Sequence, residues 1–129
     1  MATRSRIGLQ LSDGLILSVY HHWDGYPEWL GRILTTHYNS LEQASELING
    51  GDMSCCWQQR ADGTYGPRYY SRPGEDCFPR LDSHWGDFIN NGEEYGYIFK
   101  NGEWVCYDTR TWSDTFTSRI EIPQGELAA

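Results

Sequence analysis

The dipeptide Asn101-Gly102 constrains the fold more than any other feature of the chain, because it separates two apolar runs. Asn-Gly is the preferred pair of a two-residue type I′ turn, in which both residues take positive φ angles. Such a turn fixes the register of the strands that it joins, and these are residues 94–100 and 103–108. The sequence therefore predicts an antiparallel hairpin in this half of the chain.

The register of this hairpin predicts which side chains face each other across the two strands. Lys100 faces Glu103 and Phe99 faces Trp104, so an opposite-charge pair and an aromatic pair meet where each is favourable. The same register places Ile98 opposite Val105 and Tyr97 opposite Cys106.

A second hairpin is predicted near the start of the chain. Residues 7–11 alternate between apolar and polar side chains, and Asp13-Gly14 follows as a turn signal that supplies positive φ angles. Residues 15–20 then form the returning strand. Because this strand is apolar on both faces, we expect it to lie inside the sheet and not at its edge.

Two short helices are predicted after the first hairpin. Pro27 fits the first turn of a helix that extends to about residue 38, with Asp24 or Gly25 near its start. Ser40 and Gln43 form the pattern of a capping box. That second helix has an apolar face made of Leu41, Ala44, Leu47 and Ile48, and it ends at Asn49-Gly50-Gly51.

The remaining segments complete an α+β domain that spans residues 1–129. Strands are predicted at 53–59, 65–70 and 119–122, with a loop at 71–81 and a frayed tail at 124–129. A short helix, capped by Asp82 or Ser83, is predicted to run through Trp85 and Phe88 to Asn91-Gly92. The element order is β-β-α-α-β-β-α-β-β-β. This order predicts a mostly antiparallel sheet of hairpins with two to three helices packed on it.

The charge of the chain narrows the classes of partner. The formal net charge is −8, and all of the excess lies beyond residue 38, since residues 1–38 carry three arginines against three carboxylates. Such a chain lacks the basic surface that nucleic acids and anionic membranes require, so we expect neither as a partner. No apolar run and no export signal stands out, which predicts a cytoplasmic protein.

The four cysteines are predicted to be free thiols in a reducing compartment, because no export signal accompanies them. They show no C-x₂-C pair of the kind that binds zinc. Their positions are Cys55, Cys56, Cys77 and Cys106.

The segment of residues 20–29 is the main candidate site, because two histidines, two carboxylates and several large rings meet there. His21 and His22 leave a strand on opposite sides, so they make a poor pair of metal ligands. A metal site would instead combine one of them with Asp24 and either His37 or His84. We expect no metal and no cofactor.

Catalytic alternatives at this segment remain open, although no established signature supports them. General acid–base chemistry by His22 with Asp24 or Glu28 is possible. The chain has no nucleophile elbow and no phosphate-binding glycine motif. The sequence thus favours binding over catalysis and leaves an enzyme that uses the segment from His21 to Asp24 as the alternative.

Several stretches of the chain resemble small bacteriophage-encoded proteins that have no assigned activity. The longest is Tyr20-His21-His22-Trp23-Asp24-Gly25-Tyr26-Pro27, and the others are residues 6–10, 49–54 and 94–99. This resemblance implies an accessory protein made in an infected bacterial cell. Proteins of that kind bind and modulate or inhibit a host protein, and a minor virion component is a further alternative.

A recognition role predicts which side chains contact the partner. Exposed rings anchor protein complexes, and acidic groups raise the rate of encounter with a basic partner. The candidate contact residues are His22, Trp23, Asp24, Tyr26 and Glu28, together with Glu75, Asp76, Glu93 and Glu94.

Overall fold

A computed structural model describes residues 3–70, 77–89, 93–109 and 118–123 of the chain. Eight strands lie in one sheet, and they are β1 Ser5–Gln10, β2 Ile16–His21, β3 Met53–Gln59, β4 Tyr65–Tyr69, β5 Arg80–Asp82, β6 Tyr95–Lys100, β7 Glu103–Asp108 and β8 Ser118–Ile120. The helical elements are a π-helical turn Pro27–Gly31 and the helices α1 Arg32–His37, α2 Leu41–Asn49 and α3 Trp85–Ile89. The predicted tail at 124–129 lies outside the described residues.

The sheet has the strand order β4-β3-β2-β1-β6-β7-β8, with β5 paired to β2 beside this path. Most pairs are antiparallel, while β1 with β6 and β2 with β3 are parallel. The α+β class with a mostly antiparallel sheet is therefore confirmed. Strand β2 lies between neighbours on both sides, as its two apolar faces predicted.

Strand β5 corrects the prediction of an uninterrupted loop over residues 71–81. Arg80–Asp82 pairs with Ile16–Ser18 at the start of β2, whereas β3 reaches β2 only at its other end, through His21 and Met53. The divergence of β3 leaves part of the edge of β2 open, and β5 fills that part. A strand of three residues is too short to show the alternation of apolar and polar side chains by which a strand is identified in the sequence.

The Asn101-Gly102 hairpin has the predicted register, from Tyr97 opposite Cys106 to Lys100 opposite Glu103. Asn101 and Gly102 have φ angles of 52° and 80°, as a type I′ turn requires.

The first hairpin turns differently from the prediction. Gly14 has a φ of 86°, but the φ of Asp13 is not positive. Leu11 closes the turn on both sides: its N–H donates to the Leu15 carbonyl, and its carbonyl accepts from the Gly14 N–H. In this longer turn only the last residue needs the left-handed conformation.

The first predicted helix is divided into two parts. Pro27 begins a π-helical turn as its missing N–H allows, and α1 continues from Arg32 to His37. Tyr26 is the N-cap residue and no side chain caps the turn, while Asp24 and Gly25 lie just before it in the chain. Asp24 instead takes a left-handed φ of 55° in the preceding loop, from which a cap cannot form.

Helix α2 begins where the capping pattern predicted. The Ser40 hydroxyl accepts a hydrogen bond from the Gln43 N–H at 3.1 Å, and Gly51 follows the helix with a φ of 92°. The apolar face of α2 is buried except for Leu41, which is 62% exposed at the first helical position.

Apolar side chains cover both faces of the sheet. The larger cluster joins one face to the helices at 27–49, where Ile7, Val19 and Tyr97 meet Leu34 and Ile48. The smaller cluster lies on the other face of the sheet, around Phe88 of α3. Its strand residues alternate along each strand with those of the larger cluster, and they are Ile16, Ile98, Val105 and Tyr107. No helix in the described part of the chain has the length and apolarity needed to cross a membrane.

Candidate functional site

Residues 22–28, called here the first loop, leave the end of β2 and are held against the start of β3. The His22 N–H donates to the Met53 carbonyl at 3.2 Å, and the Trp23 N–H donates to the Ser54 carbonyl at 2.9 Å. These two bonds prolong the short parallel contact between the strands. The backbone of the first half of the loop is therefore tied to the sheet.

Gly25 fixes the other half of the loop. Its N–H donates to the Thr3 carbonyl at 2.8 Å, and its carbonyl accepts from the buried Tyr97 hydroxyl at 2.7 Å. A Cβ atom at Gly25 would lie 2.7 Å from both the Ser5 hydroxyl and the Thr3 carbonyl, so only glycine fits without movement. Contacts from β3, from β6 and from Thr3 thus order the irregular part of the first loop that precedes the π-helical turn.

The side chains of the first loop that point outward combine rings and carboxylates. Trp23 is 48% exposed and Tyr26 is 36% exposed, while Asp24 and Glu28 are also solvent-exposed. A fixed backbone with exposed rings loses little conformational entropy when a partner binds. The structure therefore exposes on one loop four of the side chains that the sequence named as candidate contact residues.

His21 lies inside the protein and is not part of this surface. Its Nε2 accepts from the Cys56 N–H at 3.1 Å, and its ring packs against Trp29. Burial lowers the pKa of His21 to about 3, so the imidazole is neutral. With Nε2 as acceptor the proton resides on Nδ1, which has no hydrogen-bond partner in the described part of the chain.

His22 points to the opposite side of the strand, as the alternation of β2 predicted. Its Nδ1 lies 2.6 Å from the Tyr20 hydroxyl, and its ring meets Trp23 edge-on at a centroid distance of 4.6 Å. The half-buried His22 ring therefore packs against the exposed indole of Trp23.

The histidines and carboxylates considered as metal ligands do not come together. His21 and His22 face opposite sides, and the His37 ring stacks on Trp57. Within residues 3–70, 77–89, 93–109 and 118–123, no group of three His, Cys, Asp or Glu side chains has the geometry to hold a metal ion.

Glu93 and Glu94 lie at the same end of the sheet as the first loop. The Glu94 carboxylate accepts from the Arg4 N–H at 2.8 Å, and Thr3, next in the chain, binds Gly25. Burial raises the pKa of half-buried Glu93, while Arg6 acts in the opposite direction. Glu75 and Asp76 lie outside the described residues.

Three aromatic rings that no sequence pattern predicted lie together in a group that we call the ring stack. It consists of His37 at the end of α1, Trp57 on β3 and Tyr65 on β4. His37 and Trp57 are parallel with centroids 3.7 Å apart, and Trp57 and Tyr65 are 5.6 Å apart. Residues so distant in sequence carry no shared local pattern, and only the pairing of β3 with β4 brings two of them together.

Comparison of the chain with protein-family models, with curated proteins and with solved structures found no match. The functional argument therefore rests on the geometry of the described residues.

Proposed function

We propose that this chain is a binding protein that recognises a protein partner through the first loop. The observation that carries the proposal is the exposure of Trp23 and Tyr26 on a backbone held by Thr3, β3 and β6. Large rings that are rigidly presented to solvent are typical anchors of protein interfaces.

The carboxylates of the loop define the kind of partner that fits. Asp24 and Glu28 are exposed beside the two rings, and the whole chain carries a net charge of −8. An acidic rim attracts a basic surface over long range, while the rings provide the short-range contact. The proposed partner is therefore a protein with a basic patch around an apolar pocket, and nucleic acid is disfavoured by the same charge.

The resemblance to bacteriophage-encoded proteins gives this proposal a setting. In that setting the chain is an accessory protein in the cytoplasm of an infected bacterium, and its partner is a host protein that it modulates or inhibits. Glu94 extends the proposed contact surface from the loop across Arg4.

A capture experiment with matched variants tests the proposal. The tagged protein is incubated with bacterial lysate, and bound proteins are identified by mass spectrometry. We expect one specific partner, whose affinity falls by about 100-fold or more in the double variant Trp23→Ala with Tyr26→Ala.

The control is Phe78→Ala, which removes a ring that is 79% exposed outside the first loop. Because Phe78 lies outside the proposed surface, this variant should retain the partner. Equal retention by the double variant and the control would refute the assignment of the site. A partner lost from the Phe78 variant alone would move the site elsewhere.

A further inference from the structure

A hollow of about 290 Å³ lies between α1 and the β3–β4 hairpin. Its lining includes Trp29 and Arg32 from the first helical segment and all three residues of the ring stack. A volume near 300 Å³ is at the lower end of the range for small-molecule sites and accommodates about one ring with a substituent.

Ring surfaces dominate one side of this hollow. Tyr65 is 49% exposed, and His37 and Trp57 are half-buried beside it. The Trp57 and Tyr65 rings are nearly parallel, with an interplanar angle of 21°. A flat ligand can therefore pack along surfaces that are already aligned with one another.

Arg32 gives the hollow a positive charge that no described residue pairs with. The Arg32 side chain has no hydrogen bond or ion pair in the described part of the chain, and its Nε atom is buried without a partner. Arg6 and Arg80 differ, because Arg6 donates to Ser18 and Arg80 pairs with Asp82. A buried donor without an acceptor is destabilising, and an anion bound to the same guanidinium would offset that cost.

No carboxylate is among the described residues that line this hollow. A neighbouring hollow of about 410 Å³ shares His37 but contains Glu46 together with Arg60. The Arg32 hollow is thus the more cationic of the two, on a chain whose net charge is −8.

We propose that the Arg32 hollow binds a small organic anion that combines one flat ring with a phosphate or carboxylate group. The anion pairs with the Arg32 guanidinium, and the ring packs against Trp29 and the ring stack. A long polyanion is disfavoured because the acidic chain repels it, whereas a ligand with one or two charges is repelled far less. This site is separate from the proposed protein contact at the first loop.

Four probe molecules that all contain a flat ring test whether binding requires a negative charge and which anionic group is preferred. Adenosine 5′-monophosphate and indole-3-acetate each combine a ring with an anion, one as a phosphate and one as a carboxylate. Adenosine lacks the charge, and tryptamine carries the indole ring with the opposite charge. Binding is followed by NMR through the indole N–H signal of Trp57, assigned by its loss in Trp57→Phe.

We expect at least one of the two anions to bind, with adenosine and tryptamine weaker by about tenfold or more. Binding of adenosine 5′-monophosphate alone identifies a phosphate ligand, and binding of indole-3-acetate alone identifies a carboxylate ligand. If neither anion shifts the signal at about 10 mM, or if the uncharged and cationic probes bind equally well, the proposal is wrong.

Two arginine variants locate the site. Arg32→Gln should weaken the anion by about tenfold or more, while Arg60→Gln in the neighbouring hollow should leave its affinity unchanged. The reverse pattern would overturn the assignment. The double variant Trp23→Ala with Tyr26→Ala should still bind the anion, so this test and that of the protein partner fail independently.

Discussion

At the scale of single residues, His21 makes the stability of the protein depend on pH. Its pKa is lowered by burial to about 3, against an ordinary value of 6.5 in the unfolded chain. The unfolded chain therefore takes up a proton first as the pH falls. The stability linked to His21 is complete above about pH 6.5 and is lost progressively between that value and about pH 3.

The expected effect is a decrease in the free energy of unfolding whose slope approaches about 1.4 kcal/mol per pH unit for this group. Urea denaturation between pH 7 and pH 4 measures the slope. His21→Gln should flatten it, because the amide does not titrate, although the variant is less stable at pH 7. His22→Gln is the control, and an equal flattening in both variants would contradict the account.

The chemistry of His21 and His22 was only partly predictable from sequence. Strand alternation predicts that the two rings point to opposite sides, because that property is local. The acceptor role of His21 toward Cys56 depends on where β3 meets β2, which no local pattern encodes. The ring stack was missed for the same reason.

At the scale of elements, the first loop owes its order to bonds from neighbouring strands. Tyr97→Phe removes the 2.7 Å hydrogen bond to the Gly25 carbonyl, and Tyr69→Phe removes a bond of the same length to the Leu47 carbonyl. Each variant should lose about 1–2 kcal/mol of unfolding free energy. Only Tyr97→Phe should speed amide hydrogen exchange at Gly25 and Trp23.

Denaturant melts and NMR-detected exchange measure the two effects in the same samples. The comparison separates loop order from overall stability, because Tyr69 lies against α2 and not against the loop. Faster exchange of the loop amides in both variants would show that the Tyr97 bond has no special role in the order of the loop.

The Asn101-Gly102 turn allows a cleaner test of backbone conformation. Gly102 has a φ of 80°, and no atom lies within 4 Å of a Cβ placed there. Gly102→Ala should therefore cost about 1–2 kcal/mol through conformation alone. Gly102→Asn should cost less, since asparagine tolerates this region, and equal losses in denaturant melts would argue against the explanation.

Elements with strong local signals were the predictable part of the fold. The register of the Asn101-Gly102 hairpin and the cap at Ser40 follow from a few adjacent residues. Strand β5 and the π-helical turn at Pro27–Gly31 were not predicted, because they depend on the open edge of β2 and on packing between elements.

At the scale of the whole molecule, burial should protect two of the four thiols from chemical modification. Cys56 and Cys106 are fully buried, while Cys55 and Cys77 are half-buried. Burial raises the pKa of Cys56 well above its usual range and that of Cys106 to about 12, so neither forms a reactive thiolate.

In the folded protein, a thiol-reactive chromophore should label no thiols other than those of Cys55 and Cys77. In denaturant it should label all four thiols. Cys55→Ser with Cys77→Ser should abolish labelling of the folded protein. Rapid modification of that double variant would mean that the core opens far more readily than its packing implies.

The central claim is that the rigid, ring-bearing first loop is the surface that contacts a partner. The most direct test is a hydrogen-exchange footprint of the protein bound to the partner captured from lysate. We predict that protection on binding concentrates in residues 22–28 and near Glu94. Unchanged exchange in the first loop, with protection confined to α3 or to the β3–β4 hairpin, would contradict the claim.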